Sequence, residues 1–254
     1  MSPAWVVNNF YYLKSKKGKI TFTTFFMETL AITIAPSIII LMYFFLSDKF
    51  KEPKSSIALI FFLGVLICLP AGILNTFMYD NFNNDTETMK NLLSSFLGPA
   101  WTEELLKLFI LYSIVIKRKE FNEPMDGIVY GVAVSLGFAT YENYDYVYRL
   151  ALEWEQYGIS PKDVAIVRSY SAVPMHGLNG CIMGFFLGKH VFSGDNRYLI
   201  YSFIVPFFMH GIYNYYVEFG VLIVVVQLVY ALRLHGELKK LQLSKRSERQ
   251  VKKI

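Results

Sequence analysis

The chain has 254 residues, of which 54% are hydrophobic, 17% aromatic and only 18% charged, and its net charge is +5. The apolar residues come in blocks of roughly 17–25, the length that crosses a hydrocarbon core of about 30 Å, and not interleaved with charge as in a soluble domain. A soluble globular fold is thereby excluded. The positive charge, set beside apolar spans, argues for anionic headgroups of a lipid bilayer as partner and for no nucleic acid.

In chain order, Lys14, Lys16, Lys17 and Lys19 precede an apolar run too long for a signal-peptide core, and no small-x-small cleavage site follows it. The run is expected to be retained as a first span at about 25–46, with Tyr11-Tyr12 as an interfacial belt before it. A second span follows at about 56–78; Pro36 and Pro70 are tolerable kinks in membrane helices. The third, at about 98–116, opens Trp101-Thr102-Glu103-Glu104-Leu105-Leu106-Lys107. Spacing of four puts Glu103 and Lys107 on one face, with Glu104 three before the lysine. Two carboxylates and one ammonium leave that face net negative.

The fourth span, at about 127–147, carries Phe138 and then Glu142-Asn143 near its end. The fifth, at about 170–190, contains His176 near its start; the sixth, at about 198–216, contains His210 and Asn214, four apart on one face. A seventh, at about 219–235, follows after the short Val217-Glu218 region as a tight hairpin or one broken element. Gly180, Gly184 and Gly188 form a small-residue stripe that reads as a packing face. Cys68 and Cys181 lie inside apolar runs and read as buried free thiols, with no metal-site spacing. The expected fold is therefore an all-α polytopic transmembrane bundle of about seven spans. Residues 1–236 are expected to form one transmembrane catalytic domain, and 237–254 a basic, solvated or headgroup-bound tail that includes Lys239, Lys240, Lys252 and Lys253.

In a seven-span arrangement the side holding the N-terminus receives 8 basic residues, Arg168 among them, and the other side 16, with Lys107 inside a span. The positive-inside rule then puts the C-terminus in the cytoplasm of a multi-pass plasma-membrane protein. Glu103 and Glu104 fall at the outer end of the third span, Glu142 at that of the fourth, His176 at the start of the fifth and His210 with Asn214 at the end of the sixth. All four spans deliver their polar groups to one membrane level, near the outer face. Ionisable groups at membrane depth are expensive and mark function.

Carboxylates and histidines around a water-accessible cavity suit amide hydrolysis, a glutamate taking the proton from water while donors stabilise the oxyanion. His-Glu-x-x-His zinc spacing, a Gly-x-Ser-x-Gly turn and paired membrane aspartates are all missing. No metal and no other cofactor is expected, although two histidines with glutamates have the chemistry to bind one.

Glu103-Glu104-x-x-Lys107, Phe138-x-x-x-Glu142-Asn143, His176 and His210-x-x-x-Asn214, in this order, resemble the PrsW family of bacterial intramembrane proteases, which belongs with the CAAX prenyl endopeptidases in a glutamate-protease superfamily. The segment Lys117 to Val147, with Glu120 to Gly131 within it, is similar to that family too. The prenyl-protease branch has Glu-Glu-x-x-x-Arg and a histidine where this chain has Glu142, so Lys107 and Glu142 favour the PrsW branch. The resemblance implies an intramembrane glutamate endopeptidase that cuts a single-pass membrane protein, such as an anti-sigma factor, near the extracytoplasmic face. It implies Glu103 or Glu104 as general base with Lys107 tuning the pair, and Glu142 holding the water. His210 and Asn214 are the candidate oxyanion donors, His176 the second histidine of the site, and Asn143 a supporting residue. A proton- or cation-coupled transporter using the same groups, or a non-catalytic membrane scaffold, is the alternative; a conduction path would spread ionisable groups over several depths.

Overall fold

The computed structural model describes residues 22–82 and 86–251, and every regular element among them is helical. The N-terminal lysines, Tyr11-Tyr12, Lys252 and Lys253 lie outside the described residues. In chain order the helices are α1 (Phe22–Ser47), α2 (Lys54–Phe82), α3 (Glu87–Leu92), α4 (Trp101–Ser113), α5 (Pro124–Tyr144), α6 (Ala151–Glu155), α7 (Pro161–Tyr170), α8 (Ala172–Ser193), α9 (Asn196–Tyr215) and α10 (Gly220–Val251). Each of the seven expected segments contains a helix. The short α3, α6 and α7 were not anticipated, nor was a π-helical stretch, Leu93–Ala100, that leads directly into α4.

Three helical stretches, Thr24–Ser47, Lys54–Phe82 and Val217–Ser244, are long and apolar enough to cross a membrane by length and composition. Their outer faces expose Ile39, Leu69, Ile73, Val226 and Val229, the surface a lipid-facing helix needs. The helices α5 and α8 are shorter in apolar run and more polar because protein, not lipid, surrounds them. On α5, every residue from Met125 to Ala139 is buried. Small residues let the backbones approach: a Cβ on Gly131 would strike the Gly180 carbonyl, and one on Gly137 the carbonyl of Phe61 on α2. The α5–α8 seam is thus a glycine-to-glycine contact of the kind membrane packing favours, and the Gly180, Gly184 and Gly188 stripe lies on it.

Local chemistry explains the boundaries. At the start of α5, Pro124 takes the first helical position and the Asp126 carboxylate accepts from the Glu123 amide at 2.8 Å. At α7, Ser160 and Asp163 form a reciprocal capping box. Between α9 and α10, where the sequence predicts a tight hairpin or one broken element, a short 3-10 turn, Val217–Phe219, intervenes. The last helix then runs without a break through residue 237. Lys239 and Lys240 on it are exposed, but Leu238 and Gln242 are buried against the preceding helices, so this stretch is not solvated all round.

Candidate active site

The starts of α4 and α8 and the ends of α5 and α9 meet at one end of the bundle. Thr102, Glu103, Glu104 and Lys107 are buried on the inner face of α4, where Trp101 packs edge-on against Phe203 of α9. Lys107, fully buried, places Nζ 2.8 Å from Glu104 Oε1, 3.1 Å from His176 Nδ1 and 4.4 Å above the Phe138 ring. Glu103 Oε2 is farther from it, at 3.8 Å. Glu104 Oε1 also meets His210 Nδ1 at 2.8 Å, and the two imidazoles stand edge to face with centroids 5.0 Å apart. His176 Nε2 lies 3.0 Å from Glu142 Oε2. The sequence-derived residues Glu103, Glu104, Lys107, Glu142, His176 and His210 therefore form one continuous cluster.

Asn214 lines the same cavity, its side-chain amide 3.5 Å from the Ser95 carbonyl of the π-helical stretch. Asn143 points away from the cavity and donates to the Thr33 carbonyl of α1 at 2.8 Å. The cavity has a volume of about 450 Å³ and is lined by Glu103, Glu142, His176, His210 and Asn214. Cys68, read from the sequence as an inert thiol, is free and also reaches the cavity wall.

Arg168 escaped the sequence reading, which counted it as one more basic loop residue. It sits on α7 and places Nη2 2.6 Å from Glu142 Oε2 and Nε 2.8 Å from Asn143 Oδ1, with its guanidinium 4.0 Å over the Tyr146 ring. The only hint in the sequence was its place just before the span that carries His176.

The hydrogen bonds assign protons. An ammonium only donates, so His176 Nδ1 must accept from Lys107 and its proton sits on Nε2, aimed at Glu142. With Glu104 ionised, His210 Nδ1 carries the proton given to Oε1, and Nε2, which has a lone pair in the neutral imidazole, lies 4.0 Å from Glu103 Oε2. Three carboxylates face two fixed cations, Lys107 and Arg168. Glu104 and Glu142 each receive two donors on one oxygen, whereas buried Glu103 Oε2, like Glu104 Oε2, accepts no hydrogen bond from the described residues. Among the described residues Glu103 is the one of the three carboxylates that receives no side-chain hydrogen bond, its cation contact being Lys107 at 3.8 Å. Ligand-capable atoms of Glu103, His176 and His210 all lie within 4.8 Å of one another, the spacing of a possible metal-binding trio.

Comparison with known proteins places this geometry in context. Residues 52–234 match the family model described as "PrsW family intramembrane metalloprotease". The chain is 39% identical over 188 residues to Protease PrsW of Bacillus subtilis (strain 168), covering 72% of this chain and 79% of that one. It is 37% identical over 185 residues to Protease PrsW of Geobacillus kaustophilus (strain HTA426), covering 72% and 76%. Protease PrsW of Clostridioides difficile (strain 630) is 27% identical over 198 residues, covering 74% and 79%. No solved structure matches. The matched region contains every residue of the polar cluster, Arg168 included, and the chain belongs to the PrsW family of intramembrane proteases.

Proposed function

We propose that this membrane protease hydrolyses a peptide bond of a single-pass membrane protein, near the extracytoplasmic face, with water activated by Glu103. The observation that carries the reading is the pairing of Glu103 Oε2, buried and without a hydrogen bond, with His210 Nε2 4.0 Å away. In this reading Glu103 is ionised and His210 neutral when water is bound. Two acceptors at that separation admit one water about 2.8 Å from each, donating to both at an angle of roughly 90°, near the natural angle of water. Glu103 takes one proton as the water oxygen attacks the scissile carbonyl, and returns it to the leaving amine. Glu142, whose Oε2 is held by His176 and Arg168, lines the same cavity and steadies substrate or water there.

This geometry revises one role. The sequence pairs His210 with Asn214 as oxyanion donors; in the present reading His210 is neutral, its Nε2 accepts from the water and its Nδ1 keeps its proton on Glu104. Asn214 keeps the donor role, and its long 3.5 Å bond to the Ser95 carbonyl leaves the amide ready to re-aim at an oxyanion. Anti-sigma-factor-like substrates, the seven-span arrangement with a cytoplasmic C-terminus and the plasma-membrane location belong to this same reading.

The family description names a metalloprotease, and the donor chemistry of Glu103, His176 and His210 is that of a zinc site. Glu103 Oε2 and His210 Nε2 are open to a cation. His176 is not: its lone pair faces the Lys107 ammonium and its proton faces Glu142. To ligate through Nε2 it would have to turn an N–H toward an ammonium that has no lone pair to accept it. The arrangement does not fit a three-residue metal site, and the mechanism above uses none. A strong chelator should leave cleavage of a reconstituted single-span substrate unchanged, with Glu103→Gln inactive. Loss on chelation with recovery on added zinc would move these residues to ligand roles. Wild-type cleavage by folded Glu103→Gln and Glu104→Gln variants would overturn the glutamate mechanism.

A further inference from the structure

Arg168 reaches the site from a body that the four site helices do not include. On α7, Val164 and Ala165 turn inward and pack with Val147, Tyr148 and Ala151 in a small core of their own, against Phe26 and Leu30 of α1. Ile166, Val167 and Tyr170 on the other face are exposed, and Lys162 pairs with Glu28 of α1 at 2.8 Å. The helix is therefore seated by contacts independent of the central core. From that seat one side chain, Arg168, enters the polar cluster, its side chain only 14% exposed.

Its contacts are specific. The guanidinium fork divides between the Glu142 carboxylate and the Asn143 carboxamide, and Asn143 is itself anchored on the Thr33 carbonyl. The Tyr146 ring lies beneath the guanidinium plane. Both donors to Glu142, Arg168 and His176, fall on the same oxygen, Oε2. That fixes the carboxylate rotamer of a residue that lines the cavity. It also fixes the acceptor for His176 Nε2–H, and hence the tautomer that presents Nδ1 to Lys107. Without Arg168, Glu142 is held by a single neutral imidazole, and three buried carboxylates face one ammonium.

We infer that Arg168 is a positioning residue of the proteolytic centre, which acts through Glu142 by locking its Oε2 and thereby the Glu142–His176–Lys107 chain. The inference rests on the glutamate-water reading above and adds to it a residue from outside the four motif-bearing helices. An arginine suits the task because its planar fork meets a carboxylate and a carboxamide at once, which an ammonium cannot.

The test is cleavage of a reconstituted single-span substrate under single-turnover and steady-state conditions, with folding followed by thermal melting in detergent. Arg168→Ala should lower kcat by about 100-fold, the scale of a small misplacement of reacting groups, with KM unchanged. Arg168→Lys should recover part of that loss. The double variant Arg168→Ala/Glu142→Gln should be no slower than Glu142→Gln alone, since both remove one unit. Lys162→Ala, which breaks the pair to Glu28 on the same helix, should cleave at the wild-type rate. A merely structural α7 would show a lower melting temperature, additive losses in the double variant and no rescue by lysine; that pattern overturns the proposal. So does wild-type kcat in Arg168→Ala, or a change in KM alone. If Glu103→Gln cleaves normally, the glutamate reading itself fails; if Glu103→Gln is dead and Arg168→Ala is not, only the role of Arg168 falls.

Discussion

At its C-terminal end α5 presents Glu142 to Arg168 and His176 beside a cavity; at its N-terminal end, about 24 Å away along the helix, it presents Asp126 to a second group of buried carboxylates. There Asp48, Glu52, Glu123 and Asp126 are all nearly inaccessible. Neutral donors reach each of them: the Tyr130 hydroxyl on Glu52, the Gln242 carboxamide on Asp48 and Glu123, and the backbone amides of Asn122 and Glu123 on Asp126. The nearby cations are engaged otherwise, Arg118 with Glu120 and Ser56, and Lys51 with the carbonyls of Phe45, Leu46 and Asp48. Burial of carboxylates is therefore common to both ends and identifies neither as the site. What distinguishes the cluster at the C-terminal end is the company of the buried Lys107 and Arg168, two histidines, and a cavity that its residues line. The cluster at the N-terminal end instead ties α10, through Gln242, to the loops before α2 and α5.

The comparison is broken most severely by Glu103→Gln, which should lower cleavage by at least the 10²–10³-fold typical of losing one catalytic electrostatic contact. The matching change at the other end, Asp126→Asn, should leave kcat within the wild-type range; if it abolished cleavage in folded protein, the two ends would not be separable. Asn214→Ala should be next, lowering kcat by about 10²-fold with KM little changed if it is the oxyanion donor. Equal loss in KM would make it a substrate-binding group.

Gln242→Ala sharpens the contrast from the structural side. It leaves Asp48 and Glu123 without their shared donor, and should lower unfolding stability by about 1–3 kcal/mol while kcat stays intact. Unaltered melting with reduced kcat would instead make the tail helix part of the catalytic machinery. The smallest effect concerns pH. Burial raises the Glu52 carboxyl above its ordinary value, with the Tyr130 hydrogen bond opposing. A raised folded-state value means that its stabilisation is full below the ordinary carboxylate range and is lost as pH rises through the raised one. Glu52→Gln should therefore melt higher than wild type at neutral pH, with the difference shrinking on acidification. A difference that grows on acidification would contradict the buried, neutral-favouring environment.

Much of this was readable in advance. The helix positions followed from apolar blocks, because lipid demands length and hydrophobicity that no soluble segment needs. The pairs Glu103/Lys107 and His210/Asn214 followed from helical spacing. Arg168 was not readable, because its importance comes from α7 folding back over the site, and a lone basic residue before a span looks like any topology determinant. Asn143, flagged only as a neighbour of Glu142, turned out to face α1 and hold Arg168. The buried Gln242 was hidden in a basic run, where only the partner loops reveal which face of the helix is covered.

By itself, then, the sequence determined a helical membrane protein whose polar groups recur at the ends of four helices, because one-dimensional spacing dictates which side chains share a face. Only the tertiary structure decided how those faces pair: which histidine nitrogen meets the ammonium, which carboxylate is left without a donor, and which distant arginine completes the chain. Those are contacts between residues tens of positions apart, set by the glycine seams that let α5 and α8 pack backbone to backbone.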